Sequence, residues 1–244
     1  MSEYYHNSFK EGAKDGVPIA LGYFSVSFAI GISAVSMGFP VWATVLISLF
    51  NVTSAGEVAG MPLIIAGAPM IEMVLTQLVI NLRYALMSLS LTQKLDQSLD
   101  TASRLGISYG VTDEIFAMAY SKSGTIGSRY MAGLIAIPVF GWTFGTFLGA
   151  AASSLLPPSL GSALGIAIYG MFLAIVLPPA KRQRAVRVTA LIAAGFSCFF
   201  RYVLPAISSG FSIILSAVAA SAIAAAFFPI KDPGSGEKEA EDHA

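Results

Sequence analysis

The chain is short of the side chains on which many soluble catalysts and metal sites depend. It has one cysteine, Cys198, and two histidines, His6 and His243, which fall in the terminal tails. A single cysteine excludes an intramolecular disulfide and a Cys-rich metal centre, and it reads as a small core residue. With imidazoles only at the ends, neither histidine catalysis nor a histidine metal site is expected in the middle of the chain. No Ser-centred hydrolase elbow or zinc-ligand spacing is present either. Charge is the third shortage. Asp, Glu, Lys and Arg make up 11% of the residues, where an ordinary soluble domain carries about 25%. The net charge is zero, which gives no basis for binding nucleic acid or a strongly acidic ligand. No metal and no cofactor are expected.

In place of charge there are long apolar runs. Residues 130–180, 16–56 and 202–230 contain no Asp, Glu, Lys or Arg, over 51, 41 and 29 residues. Each helix that crosses about 30 Å of hydrocarbon needs roughly 20 apolar residues. The pattern therefore predicts an all-α polytopic membrane protein with membrane lipids around it. Apolar segments fall at about 16–37, 41–66, 69–92, 106–121, 130–152, 160–178, 187–203 and 207–229, giving about 7–8 transmembrane helices. The second is interrupted by Asn51–Glu57, and the fourth is short and carries Asp113 and Glu114. One or two helices are thus expected to be broken, short or incomplete crossings. Residues 1–15 read as a polar cytoplasmic N-terminus and 231–244 as a disordered tail. The first apolar run is too long for a cleavable signal peptide and reads as a retained helix.

Lys and Arg in short loops set the orientation. With eight crossings and the N-terminus inside, the cytoplasmic loops collect Lys10, Lys14, Lys122, Arg129, Lys181, Arg182, Arg184, Arg187, Lys231 and Lys238. The outer loops collect Lys94 and Arg104. A cell-membrane protein with its N-terminus in the cytoplasm follows.

Two related halves, 16–121 and 122–230, are suggested by an internal repeat. The stretch from Pro18 through Tyr23 to Gly31 resembles that from Pro138 through Trp142 to Gly149 at an offset near 119, allowing a one-residue gap. Arg83-Tyr84-Ala85-Leu86 matches Arg201-Tyr202-Val203-Leu204 at an offset of 118. Many secondary transporters are built from such repeats, with the solute site between them near the midplane. The halves are parallel if segment four crosses and inverted if it does not.

A charge at the centre of a membrane helix costs about 2.5–3.5 kcal/mol, so it must face protein or water. Arg83 and Arg201 are candidates for internal ion pairs, and Arg201, near a span end, can also snorkel to the interface. Glu72 reads as a boundary residue. Asp113 and Glu114 are adjacent, so on a helix they point about 100° apart. One can face Arg83 while the other faces a cavity, forming a proton-coupling or ion-pair network. The break at Asn51, Thr53, Ser54, Gly56 and Glu57 supplies a candidate solute site with Asn81. Half-helix amides attract a carboxylate, and the free carbonyls of the preceding half favour an ammonium. An amino acid carries both charges.

These residues resemble the AzlC family of branched-chain amino-acid export permeases. The matching pieces are Gly12…Gly16-Val17-Pro18…Gly22, Thr53-Ser54-Ala55-Gly56, Asn81-Leu82-Arg83-Tyr84 and Val111-Thr112-Asp113-Glu114-Ile115-Phe116. They occur in the family's order across roughly residues 9–210. The resemblance implies an exporter of small amino acids driven by the proton gradient, and a small hydrophobic partner subunit of the AzlD type. Many members carry Gln where this chain has Glu57, a departure that allows a second proton site, a stronger grip on the ammonium, or a different solute.

The expected mechanism has the halves alternate around one cavity. Asn51, Thr53, Ser54 and Gly56 bind the polar ends of the solute, with Glu57 near its ammonium. Asn81 and Arg83 pair with Asp113, and Glu114 or Glu57 carries the coupling proton. The rival readings are a passive channel, a scaffold subunit, and an intramembrane enzyme using Glu57 with Asp113. No enzymatic activity is expected.

Overall fold

The computed structural model describes residues 5–153, 155, 166, 169–170, 172–173 and 176–228. It divides into two compact units, Met1–Phe172 and Leu173–Ala244. Segment 160–178 lies mostly outside the described residues.

In the first unit, β1 (Tyr5–His6) leads into α1 (Phe9–Ser36). This helix starts well before the apolar run because Ser8 caps it, its hydroxyl accepting from the Glu11 amide at 3.4 Å. Then come α2 (Val41–Phe50), α3 (Ser54–Ile65), α4 (Met70–Thr92), α5 (Thr101–Tyr109), α6 (Asp113–Ser121), β2 (Thr125–Ile126) and α7 (Ser128–Ala152). Chain reversals after α1 and α3 use Gly38 at φ +100° and Gly67 at φ +61°. Residues with a Cβ rarely adopt such φ values.

α1 and α7 lie backbone to backbone. A Cβ on Gly12 would sit 2.0 Å from the Tyr130 carbonyl, and one on Gly133 would sit 2.2 Å from the Phe9 carbonyl. Farther along, a Cβ on Gly31 meets the Thr146 carbonyl at 2.3 Å, and one on Gly149 meets the Phe28 carbonyl at 2.0 Å. Contacts advance together along both helices, so α1 and α7 run parallel. Small residues permit this approach, which is how membrane helices gain packing without a hydrophobic driving force.

The starts of α1 and α7 share one end of the unit, because β1 and β2 pair in parallel. The segment after α4 lies at the same end. Asp96 donates its amide to the Ile126 carbonyl at 2.9 Å, and Ile126 donates to the Lys94 carbonyl at 3.0 Å. α4 therefore runs opposite to α1. The pair α2–α3 begins where α1 finishes and ends where α4 begins, so it enters and returns at the far end.

Side-chain contacts agree with this path. Ser48, late in α2, meets Thr146 of α7, and Glu57, early in α3, meets Trp142. Val58, Met61 and Pro62 then run back along Ile30, Ser33 and Met37 of α1. With 10 and 12 residues, α2 and α3 are about 15 and 18 Å long, each near half the thickness of a bilayer core.

α5–α6 repeats the arrangement from the opposite end. α5 leaves beside Leu91 and Leu95, which pack with Ile107, and α6 returns to Lys122, 2.7 Å from Asp15 of α1. The interrupted second segment and the short fourth segment are thus each part of a hairpin of two short helices that returns to the end it left.

This path corrects the distribution of charge. Lys94 and Arg104, assigned above to the outer loops, lie at the same end as Lys10, Lys14 and Lys122. Lys94 Nζ binds the Tyr120 carbonyl at the end of α6, and Arg104 Nε donates to the Leu99 carbonyl at 3.1 Å. Eight full crossings were assumed, whereas two hairpins return to the end they left.

The shared end is tied together by Lys122, which contacts Asp15 at 2.7 Å and Glu11 at 3.7 Å, outside the apolar run of α1. Burial opposes ionisation of Asp15, yet hydrogen bonds from Lys122 and Tyr130 hold it below the ordinary carboxylate value. The bond to Asp15 pushes Lys122 above the usual lysine value. The stabilisation from Asp15 is therefore present above about pH 4 and lost as pH falls through its depressed folded value. That from Lys122 is present below about pH 10 and lost as pH rises through its raised folded value. Asp15→Asn is expected to lower stability by about 1 kcal/mol at pH 7, a difference that narrows in thermal melts as pH is lowered below about 4.

The second unit contains α8 (Arg184–Val203) and α9 (Ser209–Phe227), packed together across a five-residue connection. α8 has no buried residue. Cys198 is accordingly exposed rather than a core residue. Arg201 lies exposed in the last turn of α8. Across both units, α1, α4, α7, α8 and α9 are the five described helices long and apolar enough to cross a membrane.

Candidate functional site

Each hairpin breaks at three residues, Asn51-Val52-Thr53 and Gly110-Val111-Thr112, which lie 59 positions apart. In both, a Val-Thr pair precedes the second half-helix, and the threonine hydroxyl caps it. Thr53 accepts from the Gly56 amide and Thr112 from the Ile115 amide, each at 3.4 Å. Acids follow in the first turn: Glu57 in α3, and Asp113 and Glu114 in α6. Negative charge on Asp113 and Glu114 complements the exposed amides and dipole of α6.

The tips meet. Tyr109, the last residue of α5, donates its hydroxyl to the Leu49 carbonyl in the last turn of α2. That carbonyl is an orphan of the helix end, and the bond satisfies it. α4 bridges the tips a second time. Arg83 Nη1 lies 2.5 Å from Asp113 Oδ2, Arg83 Nη2 donates to the Tyr84 hydroxyl at 3.0 Å, and Tyr84 donates to Thr53 at 3.4 Å.

α1 and α7 close the ring from the other side. The Tyr23 hydroxyl is 2.6 Å from both Glu114 Oε2 and Thr112 Oγ1. Trp142 Nε1 donates to Glu57 Oε1 at 2.8 Å. The two rings contact edge to face, 5.5 Å between centroids. Aromatic donors on two parallel helices thus each hold an acid of one hairpin.

A cleft of about 260 Å³ opens beside the first tip, lined by α2, α3 and α4. Asn51, Gly56, Glu57, Gln77 and Asn81 form its polar part, and Ile47, Phe50, Met61, Ile64 and Met73 its apolar part. The amides in its wall have a set polarity. A carbonyl only accepts, so Gln77 gives Nε2 to the Gly56 carbonyl at 2.8 Å. Gln77 Oε1 then takes Asn81 Nδ2 at 3.0 Å. Asn81 Oδ1 is left as a buried acceptor without a partner. An unsatisfied buried acceptor costs about 1–3 kcal/mol, which a donor on a solute recovers. Gly56 has no spare room, since a Cβ there would lie 2.6 Å from Gln77 Oε1.

Of the expected solute residues, Asn51, Gly56, Glu57 and Asn81 line this cleft, whereas Thr53 and Ser54 are not in its lining. Arg83 pairs with Asp113, but Asn81 binds Gln77 instead, one helical turn away on α4. Glu57 turns its carboxyl onto Ser48 and Trp142 rather than toward an ammonium in the cleft. Glu72 lies in the first turn of α4, near the span end as expected of a boundary residue, and its side chain is buried, 2% exposed. Glu114 binds Tyr23. Sequence reasoning missed Gln77, Tyr109, Ser48 and Thr146, which have neutral side chains in apolar helices and carry no local signal, and Tyr84 showed only as part of the motif around Arg83. Tyr23 and Trp142 were visible only as members of the two similar stretches of the internal repeat.

The AzlC protein family model matches residues 18–156. Inner membrane protein YgaZ of Escherichia coli (strain K12) is 30% identical over 192 residues, covering 76% of this chain and 78% of that protein. An uncharacterized membrane protein of Helicobacter pylori (strain ATCC 700392 / 26695) is 26% identical over 151 residues, 60% of this chain and 65% of that protein. No solved structure matches the chain. A family match over more than half the length, together with five helices suited to a bilayer, makes this chain a membrane protein of the AzlC family.

Proposed function

We propose that the protein is a secondary transporter, not an enzyme, that exports branched-chain or similar small amino acids across the cytoplasmic membrane. Export is coupled to protons, and a small AzlD-type subunit is the partner. The observation that carries this reading is the meeting of two oppositely directed hairpins beside a cleft with one polar and one apolar side. Irregular backbone at membrane depth is tolerated where it lines a solute or water path. The solute carboxylate lies toward the start of α3, its ammonium toward Asn81 Oδ1, and its side chain among Ile47, Phe50 and Met73. Glu57 or Glu114 carries the coupling proton.

Related halves are supported by the parallel register of α1 and α7, which holds although segment four turns back because segment two turns back as well, and by the equivalent roles of Tyr23 and Trp142. An orientation with the N-terminus in the cytoplasm is supported by Lys10, Lys14, Lys94 and Lys122 gathering at one end. The loops at the other end of the hairpin unit, 37–40 and 66–69, have no Lys or Arg.

The test is efflux of labelled Leu, Ile, Val and Met from proteoliposomes, with and without the partner and a proton gradient. Gradient-dependent efflux is expected. Efflux indifferent to the gradient identifies a channel, and none in any condition defeats the transporter reading.

A further inference from the structure

Glu57 is 1% exposed and enclosed by α2, α3 and α7. Its Oε2 is 2.7 Å from Ser48 Oγ, which is 2.8 Å from Thr146 Oγ1. Thr146 Oγ1 is in turn 3.1 Å from the Trp142 carbonyl. This row has three oxygen–oxygen contacts, and each needs a proton. The hydroxyls of Ser48 and Thr146 supply two. An ionised Glu57 leaves one contact empty. A proton on Oε2 completes the row, with Glu57 donating to Ser48, Ser48 to Thr146, and Thr146 to the Trp142 carbonyl. Oε1 remains the acceptor for Trp142 Nε1.

Among the described residues, the elements packed against Glu57 present neutral groups. α2 presents Ser48, α7 presents Thr146 and Trp142, α4 presents the neutral Gln77 against Gly56, and α1 presents Tyr23 behind Trp142. Among the described residues no Lys, Arg or His contacts Glu57, and Arg83 is held by Asp113. A buried carboxylate without a paired charge is strongly disfavoured.

We propose that Glu57 is a proton-binding site, occupied in this conformation, whose proton fastens both halves of the α2–α3 hairpin to α7. The bond that forms is O–H on Glu57 Oε2. When the hairpin leaves α7, the row opens and the proton passes to water, leaving the carboxylate. Coupling to solute movement rests on the transporter reading. The proton site itself does not.

Infrared difference spectra of the full chain in lipid at pH 7, in H2O and D2O, test the site. A carbonyl stretch of a protonated carboxylic acid is expected, lost in Glu57→Gln and retained in Glu114→Gln. Glu57→Gln preserves shape and supplies an N–H donor to Ser48, so it is expected to fold with an unchanged melting profile. Absence of a band that depends on Glu57 overturns the proposal. Proton-to-solute stoichiometry separates the two claims. A ratio one proton lower in Glu57→Gln supports coupling, and an unchanged ratio with the band present removes the coupling role and leaves the site.

Discussion

Gly149→Val is expected to prevent the first unit from folding. A Cβ at this position would lie 2.0 Å from the Phe28 carbonyl, and the obstacle is helical backbone rather than a side chain that can swing away. Overpacking in a tight core costs about 1–3 kcal/mol, and more when the backbone must separate. Separating α1 from α7 also pulls Tyr23 from Trp142, so loss of fold and loss of the ring go together. Gly12→Val, with its Cβ 2.0 Å from the Tyr130 carbonyl, is expected to fail in the same way at the other end of the seam. Gly22 has nothing within 4 Å of its Cβ position, and Gly22→Ala is expected to be neutral or to stabilise the helix by up to about 1 kcal/mol. Monodisperse yield and thermal melts in detergent check all three. A well-folded Gly149→Val protein refutes the parallel seam.

The second large effect is expected at the bridge between the tips. Arg83→Gln and Asp113→Asn should each reduce efflux at least about tenfold, equivalent to roughly 1.4 kcal/mol, while leaving the protein folded. The pair is about half exposed, at 47% and 46%, so it adds little to stability. Its importance is geometric, because it holds α6 to α4 and, through Tyr84, to the cap of α3. The double variant should lose much less than the product of the single losses, since both remove one interaction. Full efflux in Asp113→Asn would show that the tips need no ionic tie.

Much of this was visible in the chain itself. Hydropathy and the scarcity of charge established a helical membrane protein. The first hairpin break was legible, because a polar, glycine-containing interruption next to an acid stands out in apolar sequence, whereas the second showed only as a short segment carrying two acids, and its break at Gly110–Thr112 was not read. Asp113 and Arg83 were recognisable as partners for the same reason: two opposite charges in hydrocarbon must find each other. Glu72 stands near its span end as expected, but its burial was not legible, because distance along the chain says nothing about which neighbour covers a side chain. Asn81 misled because its neighbour Gln77, one turn away, outcompetes a more distant acid.

Composition, then, determined the solvent in which the protein folds and where its helices are interrupted, since the cost of placing charge and unpaired backbone in lipid depends on local sequence. Direction after each interruption was decided only in three dimensions. A break at Asn51 or Gly110 is compatible with going on or turning back, and the choice was made by remote contacts. The β1–β2 pairing and the Lys94–Ile126 bonds brought the end of α4 back beside the start of α1. Those contacts also set Tyr23 against Glu114 and Trp142 against Glu57, pairings that no spacing rule encodes because they arise where separate helices reach the same depth.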